Sequence, residues 1–263
     1  MTDLYVEVHG EGPPVVLLHG WGLNVRVWDP LAQALGRGLR LIAVDLPGHG
    51  HSPWRPQCAQ RHRQMEWIAA TVAPLVGRGA PYALLGWSLG AELALEWAAA
   101  RPEGLERLVL IAATPRFTSA PDWPYGAPPG RLDRLAEGLR TDYRRTVSDF
   151  LELQVRGSTS GEAVLAQLRA ALFAHGEARA QALTAGLDVL RETDLRDVVG
   201  GIGARSLVIA GQYDRVLLPA ASRALAAAMP DARYVEVRRA AHAPFLSHPH
   251  EMARLMSEFL AEP

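Results

Sequence analysis

Residues 84–95 read LLGWSLGAELAL: an apolar run of strand length, a serine between two glycines, then an Ala- and Leu-rich stretch of helical rhythm. The five residues Gly86-Trp87-Ser88-Leu89-Gly90 fit G-x-S-x-G, and a strand before with a helix after is the context that gives the pattern meaning. A sharp strand-to-helix turn strains the backbone of its central residue. It also brings neighbouring chain so close that the flanking positions have no room for a Cβ atom. The Ser88 hydroxyl is then exposed at a strand end, at the positive end of a helix dipole. A serine so placed is a candidate nucleophile.

Similar strand-length runs stand at 15–20 (VVLLHG), 40–45 (RLIAVD), 105–114 (LERLVLIAAT), 205–211 (RSLVIAG) and 232–237 (ARYVEV). Helix-like segments follow several of them, at 26–37, 90–100 and 219–229. Continuous apolar strands alternating with helices predict an α/β fold with a mostly parallel sheet covered on both faces. From Pro115 the rhythm changes. A Pro/Gly-rich stretch, PRFTSAPDWPYGAPPG, leads into helical patterns without strands, such as Val147, Phe150, Leu151 and Gln154 at i, i+3, i+4 and i+7. The expected division is a core over 1–114, a helical lid over 115–190 and the rest of the core over 191–263. Ligands of open α/β sheets bind beyond the carboxyl ends of the strands, where such a lid would sit.

Composition narrows the function classes. The 263 residues carry a formal net charge of −1, which argues against nucleic acid as the main partner. No run approaches the 18 or so apolar residues of a membrane span, and the N-terminal residues lack the pattern of a secretory signal. A lone cysteine, Cys58, fits a reducing compartment. The expectation is a cytoplasmic protein, without a membrane partner, acting as a monomer.

A nucleophilic serine needs a base, and the base needs an orienting carboxylate. In this architecture they follow in the order acid, then histidine. Asp214 lies just past the run at 205–211, and His242 lies in the loop after the run at 232–237, so both fall at strand ends on the rim of Ser88. Asp194, Asp197 and Asp231 precede strands and are expected at the opposite edge. His248 and His250 fall at the start of the last helix. Two backbone N–H donors must face the developing oxyanion. Leu89 offers one and the loop His19-Gly20-Trp21-Gly22 the other, through Trp21, whose ring would wall the acyl pocket. The stretch VDLPGHGHSP at 44–53 breaks the dinucleotide fingerprint at Pro53 and is expected to be a structural turn, with His49 and His51 solvated rather than binding metal.

Taken in order, HGWG, DLPGHGHS, GWSLGA, GQYD and AAHAPFLSHP resemble the α/β-hydrolase family over essentially the whole chain. Within it, HGWGLNVRVW, RTVSDFLELQ and TDLRD make the chain most similar to the carboxylesterases that hydrolyse the methyl ester of a pimeloyl group held on acyl-carrier protein, in biotin precursor synthesis. The resemblance implies a triad of Ser88, Asp214 and His242, with Trp21 and Leu89 at the substrate carbonyl. It implies that Phe150, Leu151, Glu152, Leu153 and Gln154 line the acyl chain, and that no metal or organic cofactor is needed. It also implies carrier contact through basic lid residues, of which Arg145 matches one. Here the chain departs from the pattern: residues 115–190 hold nine Arg and nine Asp/Glu, and Asp149 and Glu162 stand where basic residues are expected. A general short-chain esterase, a carbon–carbon bond hydrolase and a catalytically silent ligand receptor of the same fold stay open.

Overall fold

The computed structural model describes residues 3–128 and 130–262. Its sheet is built from β1 (Val6–His9), β2 (Pro14–Leu18), β3 (Arg40–Val44), β4 (Tyr82–Trp87), β5 (Leu105–Ile111), β6 (Arg205–Gly211) and β7 (Ala232–Val237). The order across the sheet is β1-β3-β2-β4-β5-β6-β7. Only β1 runs antiparallel, pairing Val6 with Val44 at one edge. The other neighbours are parallel, with Val15 opposite Ala83 and Leu85 opposite Val109. This is the α/β-hydrolase architecture expected from the apolar runs. β1 was not among the expected strands, because VEVH is short, half polar and half exposed, as an edge strand can be.

β2 and β4 are buried along their whole length, since helices cover both faces. Side chains alternate between the two faces. Leu84, Leu108 and Val208 enter one apolar core, while Leu85, Val109 and Leu207 enter the other. α1 (Asp29–Leu35) leads the helices. α2 (Arg61–Val76) and α3 (Leu89–Ala99) supply Ile68, Val72 and Leu93 to the first core.

Between β5 and β6 the chain inserts four helices: α4 (Arg131–Thr141), α5 (Tyr143–Val155), α6 (Gly161–Ala174) and α7 (Ala180–Glu192). No strand interrupts them among the described residues; they form the lid. Asp142 starts α5 by accepting the Arg145 N–H at 3.1 Å, the side-chain capping expected of an aspartate there. α8 (Pro219–Ala228), α9 (Pro244–Ser247) and α10 (Pro249–Ala261) complete the fold; α1 and α10 close the second core with Leu31, Met252, Met256 and Phe259. No helix among the described residues is long and apolar enough to cross a membrane.

Two sequence expectations are corrected. Asp194 does not lie at the far edge: it bridges Arg116, five residues beyond the carboxyl end of β5, because the chain leaving α7 returns over that rim before descending to β6. Its carboxylate is taken up by Arg116 and Arg196, both at 2.7 Å. His49 is not solvated but buried, at 2% exposure, whereas His51 is exposed as expected.

Candidate active site

Ser88 is the residue between β4 and α3, with φ 55° and ψ −117°, a region that L-residues seldom occupy. Its neighbours explain how that conformation is tolerated. A Cβ on Gly86 would come within 2.5 Å of the Gly90 carbonyl oxygen, and one on Gly90 would collide with the Leu18 and His19 carbonyl oxygens. The turn is therefore closed by main chain on both sides. The Ser88 N–H donates to the Ile111 carbonyl at 3.0 Å, and the Ser88 carbonyl accepts from the Ala91 and Glu92 amides. Leu89 and Gly90 start the helix, where N–H groups have no carbonyl within it to bond.

Asp214 follows β6 and is 3% exposed. One of its carboxylate oxygens accepts the Val216 and Leu217 amides, each at 2.9 Å, and the other lies 2.7 Å from His242 Nδ1. Three bonds fix the carboxylate, so the proton of the His242 ring sits on Nδ1 and donates to Asp214. Nε2, on the other side of that ring, has no hydrogen-bond partner among the described residues although it is buried. The backbone of His242 is held too. Its carbonyl accepts from Trp87 Nε1 at 2.9 Å and its N–H donates to the Gln154 carbonyl of α5 at 3.0 Å. Trp87, the residue before Ser88, lies with its ring centroid 5.6 Å from the imidazole. Asp214 and His242 are thus in direct contact, and His242 is tied to the strand end that carries Ser88. No hydrogen bond joins Ser88 Oγ to His242 Nε2.

A cavity of about 530 Å³ opens on Ser88. Its apolar wall includes Trp21, Phe117, Leu132, Phe150, Leu153 and Leu187; Arg131, Arg134 and Arg145 also line it. Of the five consecutive residues expected along the acyl chain, Phe150 and Leu153 line this cavity. Leu151 turns into the second core, Glu152 is exposed and pairs with Arg169 at 3.2 Å, and Gln154 is 2% exposed. Arg145 lies at the cavity with its side chain 78% exposed and Asp149 3.8 Å away. Among the described residues no group of three or more His, Cys, Asp or Glu could hold a metal ion.

Residues 13–249 match the family described as alpha/beta hydrolase fold. The pimeloyl-[acyl-carrier protein] methyl ester esterase of Stenotrophomonas maltophilia is 40% identical over 258 residues, spanning 98% of this chain and 96% of that one. The chain belongs to the α/β-hydrolase family. The protein of the same description from Chromobacterium violaceum is 37% identical over 260 residues, 98% of each chain. Among solved structures, the bromoperoxidase of Bacillus anthracis superposes with a TM-score of 0.89 at 21% identity, covering 98% of this chain and 95% of that one, a likeness of fold.

In this α/β-hydrolase the Trp21 loop rests on two histidines that the sequence motifs did not single out as supports. The Leu46 N–H donates to His19 Nε2 at 3.0 Å, which leaves the His19 proton on Nδ1, 2.8 Å from the Gly20 carbonyl. The Gly22 N–H donates to His49 Nε2 at 3.2 Å, and His49 Nδ1 faces the Pro47 carbonyl. Acceptor nitrogens require neutral rings. Burial pushes His19 well below the usual histidine range, helped by His49 beside it, and burial lowers His49 to about 4. Asp45 accepts the Val25 and His51 amides and lies 2.9 Å from His175 of the lid, so the turn at 44–53 serves as a brace. The one readable signal for it was the pair of glycines, Gly48 and Gly50, both at positive φ.

Proposed function

We propose that this α/β-hydrolase is a serine carboxylesterase that hydrolyses the methyl ester of a pimeloyl group carried on acyl-carrier protein. The observation that carries the reading is the buried Asp214–His242 pair, 2.7 Å apart, with Nε2 left unpartnered and the His242 carbonyl tied through Trp87 to the strand that ends at Ser88. Ser88 Oγ attacks the ester carbonyl while His242 Nε2 takes its proton, and Asp214 stabilises the imidazolium that forms. The Trp21 and Leu89 amides hold the oxyanion, each donor contributing about 3–4 kcal/mol of transition-state stabilisation. His242 then protonates the departing methoxide, methanol leaves, and water returns along the same path to free the acid from the acyl-enzyme. Ser88–His242 contacts of this kind tighten when substrate binds.

The substrate class is supported by relatives of that description at 37–40% identity over nearly the whole chain. A cavity of 530 Å³ with Phe150 and Leu153 in its wall suits a medium-length acyl arm whose far end is an uncharged ester. The lid of residues 115–190 would close over it. One observation favours a general short-chain esterase instead: the nine Arg of that segment are matched by nine acids. The test is methanol release from the carrier-bound ester. Turnover should fall by roughly 10⁴-fold or more in Ser88→Ala with folding intact. Equal turnover of free p-nitrophenyl esters would favour the general esterase.

A further inference from the structure

Gly186 stands in the middle of α7, where glycine weakens a helix and calls for a packing reason. The reason is Trp21. A Cβ on Gly186 would lie 2.6 Å from Trp21 Cδ1, 3.1 Å from its Nε1 and 3.2 Å from Leu89 Cδ2. The lid helix is therefore laid with bare backbone against the indole and against the first side chain of α3. One turn earlier in α7, the Leu183 carbonyl accepts the Trp21 Nε1–H at 2.9 Å. Phe150 of α5 meets the same ring edge to face, with centroids 5.0 Å apart. The indole is 2% exposed. Its own main chain is gripped from the core side. The Gly22 amide bonds His49, and Gly20 lies so close to Trp87 that a Cβ would touch the ring at 3.0 Å.

We infer that Gly186 is a positioning residue: its missing side chain lets α7 seat the Trp21 indole, and through that ring the lid sets the aim of the Trp21 and Leu89 amides. This rests on the proposed role of those two amides in holding the oxyanion. The lid helix and the oxyanion site are then one mechanical unit, and a methyl group on the lid changes catalysis without touching substrate. Trp21 also lines the cavity that opens on Ser88, so the same contact fixes part of the cavity wall.

A double-mutant cycle with a free p-nitrophenyl ester tests it. Gly186→Ala should lower kcat about tenfold or more and change KM by less than about threefold, because it misaims donors that act in the transition state. Thermal unfolding should show no loss of the folded state, since alanine favours a helix. In a Trp21→Val background, which keeps the amide and removes Cδ1 and Nε1, the same substitution should cost less than about twofold. An equal kcat loss in both backgrounds overturns the positioning role, and this comparison still decides if Gly186→Ala alone lowers the unfolding midpoint. A turnover that depends on Ser88 and is unchanged by Gly186→Ala overturns it as well. Wild-type turnover that survives Ser88→Ala overturns the esterase reading, and the positioning role with it.

Discussion

The strand-end rim and the lid hold the site by different means. On the rim, the Asp214 carboxylate is fixed by main-chain amides of its own loop. Asp214 is bound by residues two and three positions ahead of it, and the strained turn at Ser88 is made possible by glycines two positions either side. On the lid, the groups that hold the site are carbonyls: Gln154 receives the His242 N–H and Leu183 receives the Trp21 indole. The hold on Asp214 and on the Ser88 turn is thus local, whereas the lid's hold on His242 and Trp21 depends on where whole helices lie. The difference suggests that substitutions on the rim act on chemistry alone, and that those on the lid act on alignment and access.

The sharpest break of that contrast is Asp214→Asn. An amide can still accept the Val216 and Leu217 N–H groups, so the loop should keep its shape. Its NH₂ group, however, would face His242 Nδ1 and favour the tautomer that cannot take a proton from Ser88. The expected outcome is a fall in kcat of about 10⁴-fold with little change in thermal stability. Steady-state kinetics beside calorimetry checks it. A large drop in the unfolding midpoint would mean that the rim, too, is held by its charges and not by its backbone.

How far each region could be read from the amino acids follows the same division. Ser88 directly follows an apolar run, and Asp214 and His242 each lie a few residues past one, so their common rim is legible from spacing. The α5 stripe was legible as a helix face, yet successive helical positions turn by about 100°. Five consecutive residues therefore cannot share one wall, and Phe150 and Leu153 reach the cavity while Leu151 and Glu152 turn elsewhere. Carbonyl acceptors leave no trace in sequence because every residue has one. In sequence Gly186 is one small residue in an Ala-rich helix, and only the approach of Trp21 gives it a purpose. Asp194 was misjudged for a related reason: its distance from β6 along the chain says nothing about the path by which α7 returns.

A smaller effect probes the seam between the two regions. Glu92, one turn into α3, is 1% exposed, and burial pushes its carboxyl well above the usual range against the pull of Arg61 and Thr193. Arg61 is engaged by Glu96 at 2.6 Å and by Thr193, the residue just after α7, at 2.8 Å. The folded state therefore favours the neutral acid. Its contribution to stability is full below about 4.5, the value of the unfolded chain, and is lost as pH rises through the raised folded value. Glu92→Gln should match the wild type near pH 4 and be more stable by about 1–3 kcal/mol at pH 8, read by urea unfolding at both pH values. A gain that is equal at the two pH values would show that the carboxyl ionises alike in the folded and unfolded chains.

The smallest expected effect concerns the outer face of the lid. Arg145 and Asp149 are both exposed and 3.8 Å apart at i, i+4, a pair worth only about 0.3–0.5 kcal/mol to the helix. Arg145→Glu should leave stability and free-ester turnover within about twofold of the wild type. If the acidic carrier docks across the cavity mouth, kcat/KM for the carrier-bound ester should fall about fivefold, close to 1 kcal/mol, and the gap between substrates should narrow as salt screens the contact. The salt dependence separates the alternatives. A charge contact fades over a Debye length of about 8–10 Å, while a shift of α5 that misplaced the Gln154 carbonyl would slow both substrates at every ionic strength. Equal slowing would put Arg145 with the tethers that align His242, and the lid's outer face would then belong to the same alignment machinery as its inner one.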